Sequence, residues 1–314
     1  MTENVLVTGG LGYLGGRLSK HLAGREGCAL RLTSRRAGAA VTPSWAEEME
    51  VVAADFGDDR DLTPLCQGME AVVHLAAMNT AQCADDPEQA RRVNVTGTLN
   101  LWDAAKKAGV QRFIYVSTAH VYGAPLEGVL DEDTLPRPVH PYSETHLAAE
   151  KTVLSGDGPL GVVLRLSNAI GTPADKDADC WMLAANDLCR QAVAGNGLEL
   201  RGSGLDVRDF VSVFDICRSV EHFLTLDGGA MEDRVFNVGG GAMTMLALAE
   251  RIASRAEVVM GRRPDIRRKE PSPGEEPHRL DYRTDRLFGS GYTPIGKIDD
   301  EIYATLKFCR QAFA

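Results

Sequence analysis

Gly9, Gly12 and Gly15 recur at intervals of three within Val5–Gly15, which reads VLVTGGLGYLG. Such a run can grip phosphate through its backbone. Gly9 permits a tight turn, Gly12 lets the main chain approach a pyrophosphate, and Gly15 lets the following helix pack on the preceding strand. A helix N-terminus adds free N–H groups and a positive dipole end. Tyr13 and Leu14 sit inside the same run and join the glycines as candidate dinucleotide contacts. The competing reading is an ordinary tight turn. A second group lies at Ser34, Arg35 and Arg36, at the end of CALRLTSRR. NAD sites place a carboxylate here for the ribose 2′-hydroxyl, yet Cys28–Arg36 contains no acid. An arginine fork suits a 2′-phosphate, so NADP is favoured and NAD remains possible. The alternatives are stacking of Arg35 on adenine, or two solvated charges. Asp55, followed by Phe56, is placed to accept the adenine amino group, or equally to cap a helix over Asp58–Gln67.

These groups need elements to hold them. Val5–Val7 is a short β-branched run suited to a buried parallel strand, and Leu14, Leu18 and Leu22 form a helical stripe. Further strands are expected at Cys28–Arg36, Glu50–Ala54, Ala71–Ala77 and Arg112–Ser117. Long helices are expected at Pro87–Gly109 and from Pro141. The alternation predicts an α/β, doubly wound parallel sheet of Rossmann type, which binds ligands at the carboxyl ends of its strands. Those ends carry the glycines, Ser34–Arg36, Asp55, Ala76, Ala77, Ser117 and Thr118. Leu75, Phe56 and Asn94 complete the candidate cofactor set. His74, within AVVHLAA, reads as a packed core histidine.

The 314 residues suffice for one large α/β unit or two lobes. A net charge of −10 argues against nucleic acid or an anionic membrane surface as main partner. Seven scattered cysteines without a CxxC pair suit reduced thiols in the cytoplasm, and give no zinc or disulfide framework. No signal peptide or membrane-length apolar run is expected.

Beyond the glycine turn, the chain carries STAHVYG (Ser117–Gly123), PYSETHLAAEK (Pro141–Lys151), LRLSNAIGTP (Leu164–Pro173), RGSGLDVRDFVSVFDI (Arg201–Ile216) and FNVGGG (Phe236–Gly241). In this order they resemble the extended short-chain dehydrogenase/reductase superfamily and, within it, the NAD(P)-dependent sugar epimerase/dehydratase family. The resemblance implies a catalytic Thr118 and Tyr142, with the family lysine expected four residues after the tyrosine. His146 stands there instead. One helical turn on, it shares the face of Tyr142, but a neutral imidazole lowers a phenol pKa less than an ammonium does. Lys151 falls nearly opposite. The resemblance further implies that Asn168 and Arg208 contact a nucleotide-sugar, with an Arg208–Asp209 pair as the structural alternative. Dehydratases of the family carry an Asp-Glu pair after the threonine; here Ala119 and His120 follow it. His120 is either an acid/base near the sugar or a packing residue.

The implied function is an NAD(P)-dependent nucleotide-sugar epimerase or keto-reductase working by hydride transfer, with C4 as the expected position. A dinucleotide sensor with weakened catalysis, and a dehydratase, are the alternatives. A dinucleotide-binding domain over 1–166 and a mainly substrate-binding lobe over 167–314 are expected, the chain crossing back over 202–241. A homodimer through the helices at Pro87–Gly109 and Pro141–Leu154 is also implied. Arg262–Pro277 reads as a surface loop, with Arg268 or Lys269 near phosphate. Closing helices are expected at Asp281–Phe288 and Asp299–Phe313.

Overall fold

The computed structural model describes residues 3–35 and 42–313. Seven parallel strands form one sheet, in the spatial order Val235–Val238, Leu160–Leu166, Arg112–Thr118, Ala71–His74, Glu3–Thr8, Cys28–Ser34 and Glu50–Ala53. The order reverses between the Glu3–Thr8 strand and its Ala71–His74 neighbour. That is the switch point at which such sheets open a crevice.

The apolar runs are continuous because both faces are covered. Val5 and Val7 point into one core with Leu18 and Leu22. Leu6, between them, points into the opposite core with Leu101, Trp102 and Phe113. Period-two alternation thus divides each strand between two helical layers. Helices Tyr13–Ala23 and Val213–Thr225 cover the first face. Helices Gly97–Ala108 and Pro141–Val153 cover the second.

The Pro87–Gly109 helix contains a widened π-helical turn at Arg91–Thr96. Its αL cap at Gly109, with φ 76°, ends it as expected. No helix spans Asp58–Gln67; only Thr63–Cys66 is helical, with Pro64 in its first turn. Asp61, not Asp55, accepts the Thr63 N–H, at 2.9 Å. The expected helix at Asp281–Phe288 is also divided. Leu280–Tyr282 is a strand paired with Gly128–Leu130, and the helix covers Asp285–Gly289. Both shorter strands were invisible as periodicity because each has three residues.

Past Leu166, Asn168–Ile170, Val207–Ser212 and Ala242–Thr244 form a separate three-stranded sheet. Helices Ala184–Ala194, Met245–Met260 and Ile298–Phe313 pack around Leu188, Ile252 and Leu306. The last helix is fastened to the glycine-turn helix by Arg17, which forks onto Glu301 at 2.7 and 3.0 Å. Among the described residues, no helix is long and apolar enough to cross a membrane. All seven cysteines are free thiols.

Candidate active site

The carboxyl ends of the strands open onto a cleft of about 700 Å³. Its floor at the switch point is the glycine turn. Gly9 takes φ 65°, a left-handed conformation that favours glycine. A β-carbon on Gly15 would lie 2.1 Å from the Gly9 carbonyl oxygen, so only glycine lets the helix start this close to the strand. The Tyr13–Ala23 helix has no side-chain cap and no acid in its first turn. Its N–H groups therefore remain available for an anion. Thr8 braces the crevice from below, accepting from the N–H groups of Leu75 and Ala76 at 3.0 and 3.1 Å. This cradle fits a dinucleotide.

Gly9, Gly12, Tyr13, Leu14, Gly15, Ser34, Arg35, Asp55, Phe56, Leu75, Ala76, Ala77 and Ser117 all line the cleft. Arg36 lies outside the described residues. Tyr13 turns its hydroxyl to the Gly171 carbonyl, at 2.9 Å. Asp55 also accepts from the Gly57 N–H at 2.9 Å, which shapes its own turn. Asn94 is buried behind the cleft wall and is not among the residues that line it. Its amide accepts from Met78 N–H at 2.8 Å and donates to Thr145 at 3.0 Å. The widened turn points it between the Met78 loop and the Tyr142 helix, so it braces both.

Thr118, Tyr142 and His146 converge on the same cleft. Thr118 ends its strand and accepts from the His120 N–H at 3.2 Å. Tyr142 begins its helix, where His140 accepts its N–H at 3.1 Å. Burial pushes the phenol up to about 12, and a hydrogen bond from the Thr118 side chain partly offsets this. The His146 ring lies 4.5 Å from that of Tyr142, centre to centre, at 63°. Burial holds its pKa down to about 4, so it is neutral at pH 7. Lys151 is exposed on the far side of the helix.

His74 is a core residue, bonded to Thr8 at 2.7 Å and Thr98 at 3.0 Å. Behind Ser117 lies a buried network. Ser117 donates to Glu150 at 2.5 Å, and Arg165 forks onto the same carboxylate, at 2.7 Å through one nitrogen.

His120 and Asn168 line the cleft. His120 is held below its usual pKa by burial and by the nearby Arg208 charge. Asn168 also donates to the Asp209 carbonyl at 2.9 Å. Arg208 has a different ion-pair partner from the one expected. It stands outside the cleft wall, exposed, and pairs with Asp206 at 2.7 Å, not with Asp209. Asp209 is buried and accepts instead from the Gly240 and Gly241 N–H groups at 3.1 and 2.9 Å. Several lining residues had no signal in the sequence. Asn79 and Asp179 meet across the cleft mouth at 2.8 Å although a hundred positions separate them.

A glycine turn at a switch point, with a Thr–Tyr pair two strands away, defines a dinucleotide-using enzyme of the extended short-chain dehydrogenase/reductase class. Within that class, the chain belongs to the NAD-dependent epimerase/dehydratase family, whose model matches residues 5–239. It is 31% identical over 291 residues to a UDP-glucose 4-epimerase of Rhizobium leguminosarum bv. trifolii, covering 83% of this chain and 86% of that one. It is 32% identical over 272 residues to a GDP-6-deoxy-D-mannose reductase of Pseudomonas aeruginosa, covering 83% and 82%. Among solved structures, it matches a UDP-N-acetylglucosamine 4-epimerase from Methanobrevibacter ruminantium in complex with UDP-N-acetylmuramic acid, with a TM-score of 0.81 and 25% identity. That match covers 99% of this chain and all of the other.

Proposed function

We propose that this enzyme interconverts a hydroxyl and a ketone on a nucleotide-linked sugar, at C4, as an epimerase or keto-reductase. The observation that carries this reading is the convergence of Thr118 and Tyr142 beside the glycine cradle. Gly9, Gly12 and Gly15 hold the pyrophosphate, and Ala76 and Ala77 leave room for a flat ring. When bound, the nicotinamide cofactor supplies or accepts hydride at the sugar carbon. Thr118 hydrogen-bonds the reacting sugar oxygen and holds it toward Tyr142. The Tyr142 phenol is protonated at neutral pH, so it donates its proton as a carbonyl oxygen becomes a hydroxyl and recovers one in the opposite direction. His120 and Asn168 contact the sugar-nucleotide, and Arg208 reaches its diphosphate by exchanging its exposed pairing with Asp206, which is weak.

Dehydration is disfavoured because Ala119 and His120 occupy the positions of the acid–base carboxylates. NADP is favoured over NAD by Ser34 and Arg35 at the cleft and by the missing acid along their strand. Arg35→Ala should therefore weaken NADPH binding more than NADH binding, as read by cofactor fluorescence; equal losses would remove the preference. Division near residue 166, a cytoplasmic location and a homodimer through the helices at Pro87–Gly109 and Pro141–Leu154 complete the proposal.

The test is turnover of UDP-, GDP-, CDP- and dTDP-sugars, with and without added NADP(H) or NAD(H), read by mass spectrometry and NMR. Conversion that disappears in Tyr142→Phe supports the reading. Conversion without added cofactor selects the epimerase, and stoichiometric NADPH use selects the reductase. A folded protein that binds dinucleotide and converts none of the panel favours the sensor.

A further inference from the structure

His146 occupies the position where its family places a lysine, and its surroundings give it one hydrogen-bonding arrangement. The Tyr115 hydroxyl lies 2.7 Å from His146 Nδ1, in the buried layer beneath the cleft. Tyr115 is 2% exposed and its hydroxyl has no other partner among the described residues. A buried hydroxyl must place its hydrogen on an acceptor or forfeit a bond, at a cost of about 1–3 kcal/mol. The proton therefore lies on Tyr115, and Nδ1 accepts. A neutral imidazole whose Nδ1 accepts carries its hydrogen on Nε2. Nε2 is buried and bonded to nothing among the described residues, while His146 lines the cleft.

We propose that Tyr115 is a positioning residue that locks His146 in the Nε2–H form, so that a neutral N–H donor faces the cofactor ribose where the family uses an ammonium. This rests on the dinucleotide reading above. Among the described residues, the groups around His146 are neutral or already paired. Tyr115 packs against the ring from its strand, with His74 behind it on the next strand, and Tyr142 packs from the ring's own helix; Glu150, one turn on, is already paired with Arg165. Burial alone holds the imidazole neutral. The donor is thus insensitive to pH across the neutral range, unlike a titrating histidine.

The first measurement is the ¹⁵N spectrum of histidine-labelled, ligand-free protein between about pH 5.5 and 9. His146 should show a pyridine-type Nδ1 and a pyrrole-type Nε2 throughout. A charged ring at neutral pH, or the reverse tautomer, overturns the proposal. Tyr115→Phe keeps the ring packing and removes the donor, so the Nδ1 signal should move. NADPH and NADH, titrated by fluorescence, should then bind roughly three- to tenfold more weakly, as for loss of one hydrogen bond. A packing effect is separated by repeating the change in His146→Lys, whose ammonium needs no tautomer. There Tyr115→Phe should alter affinity by less than about twofold. Equal losses in both backgrounds overturn the proposal. If the wild-type chain binds neither dinucleotide, the functional reading fails and the donor role with it, whatever the spectrum shows.

Discussion

Replacing His146 with lysine restores the charge this site lacks, and its effect can be sized from the structure. The Tyr142 phenol titrates at about 12 because burial penalises its anion. The two rings are 4.5 Å apart. A unit cation at that separation attracts a phenolate by about 3.7 kcal/mol at an effective dielectric of about 20. Each pH unit is worth about 1.36 kcal/mol, so the ceiling is a little under three units. Water in the open cleft screens part of this, leaving a fall of roughly one to three units. For turnover in the direction where Tyr142 accepts a proton, rate follows the phenolate fraction. The ascending limb of the kcat profile should therefore move to lower pH by that amount in His146→Lys. A second readout needs no substrate: the near-ultraviolet tyrosinate absorbance, after subtracting the same protein carrying Tyr142→Phe. Tyr142 titrating at the same pH in both proteins refutes the electrostatic argument. Complete loss of activity in a folded His146→Lys protein refutes the view that His146 stands in for the family lysine.

Gly15→Ala brings a methyl group 2.1 Å from the Gly9 oxygen, so the turn must shift. Overpacking of this kind costs about 1–3 kcal/mol, and dinucleotide affinity should fall roughly fivefold to a hundredfold by fluorescence titration. Glu150→Ala leaves the Arg165 guanidinium buried without its partner and should cost about 3–5 kcal/mol in urea unfolding. Adding Arg165→Met should recover much of that loss. The pH dependence of stability has a fixed sign. His74 and His146 are held neutral in the fold, at about 3 and about 4, whereas unfolded imidazoles titrate near about 6.5. Their stabilisation is full above that value and is lost as pH falls toward 4 and then 3. Between about pH 6 and 4.5 the unfolded chain binds up to two more protons at these sites, a slope approaching about 2.7 kcal/mol per pH unit. Urea midpoints across that range measure it, and His146→Gln should reduce the slope by about one proton.

The sheet was legible because its strands are buried on both faces and read as apolar runs, and because glycines mark where the first one ends. Tyr142 and His146 were legible as a pair because one helical turn must stack them. Asn94 lies behind the cleft wall for a local reason. A polar residue in a helical pattern says nothing about a widened turn, and that turn aims the amide at Met78 and Thr145 rather than at the cleft. Arg208 was expected, as the structural alternative, to pair with its sequence neighbour Asp209, while its side chain turns back to Asp206. Tyr115 was unreadable as anything but core: an aromatic in an apolar strand shows its hydroxyl's purpose only when the facing helix is in place.

The same residues argue for the direction in which this site works most readily. Among the described residues, Arg35 is the arginine or lysine that lines the cleft. Its strand lies three places from that of Thr118, about 14 Å by strand spacing, beyond effective reach of the phenol. His146 is neutral and is held so by burial. Among the described residues, no cation beside Tyr142 therefore stabilises its anion, and the phenol rests as an acid. A site whose acid is already loaded suits proton donation to a carbonyl oxygen. Taking a proton from a sugar hydroxyl would require stabilising charge brought by something bound in the cleft. Ketone reduction should therefore outpace alcohol oxidation at neutral pH. His146→Lys should narrow that gap by accelerating oxidation more than reduction, as single-turnover rates in the two directions would show. An equal change in both would mean that the charge at residue 146 does not govern Tyr142.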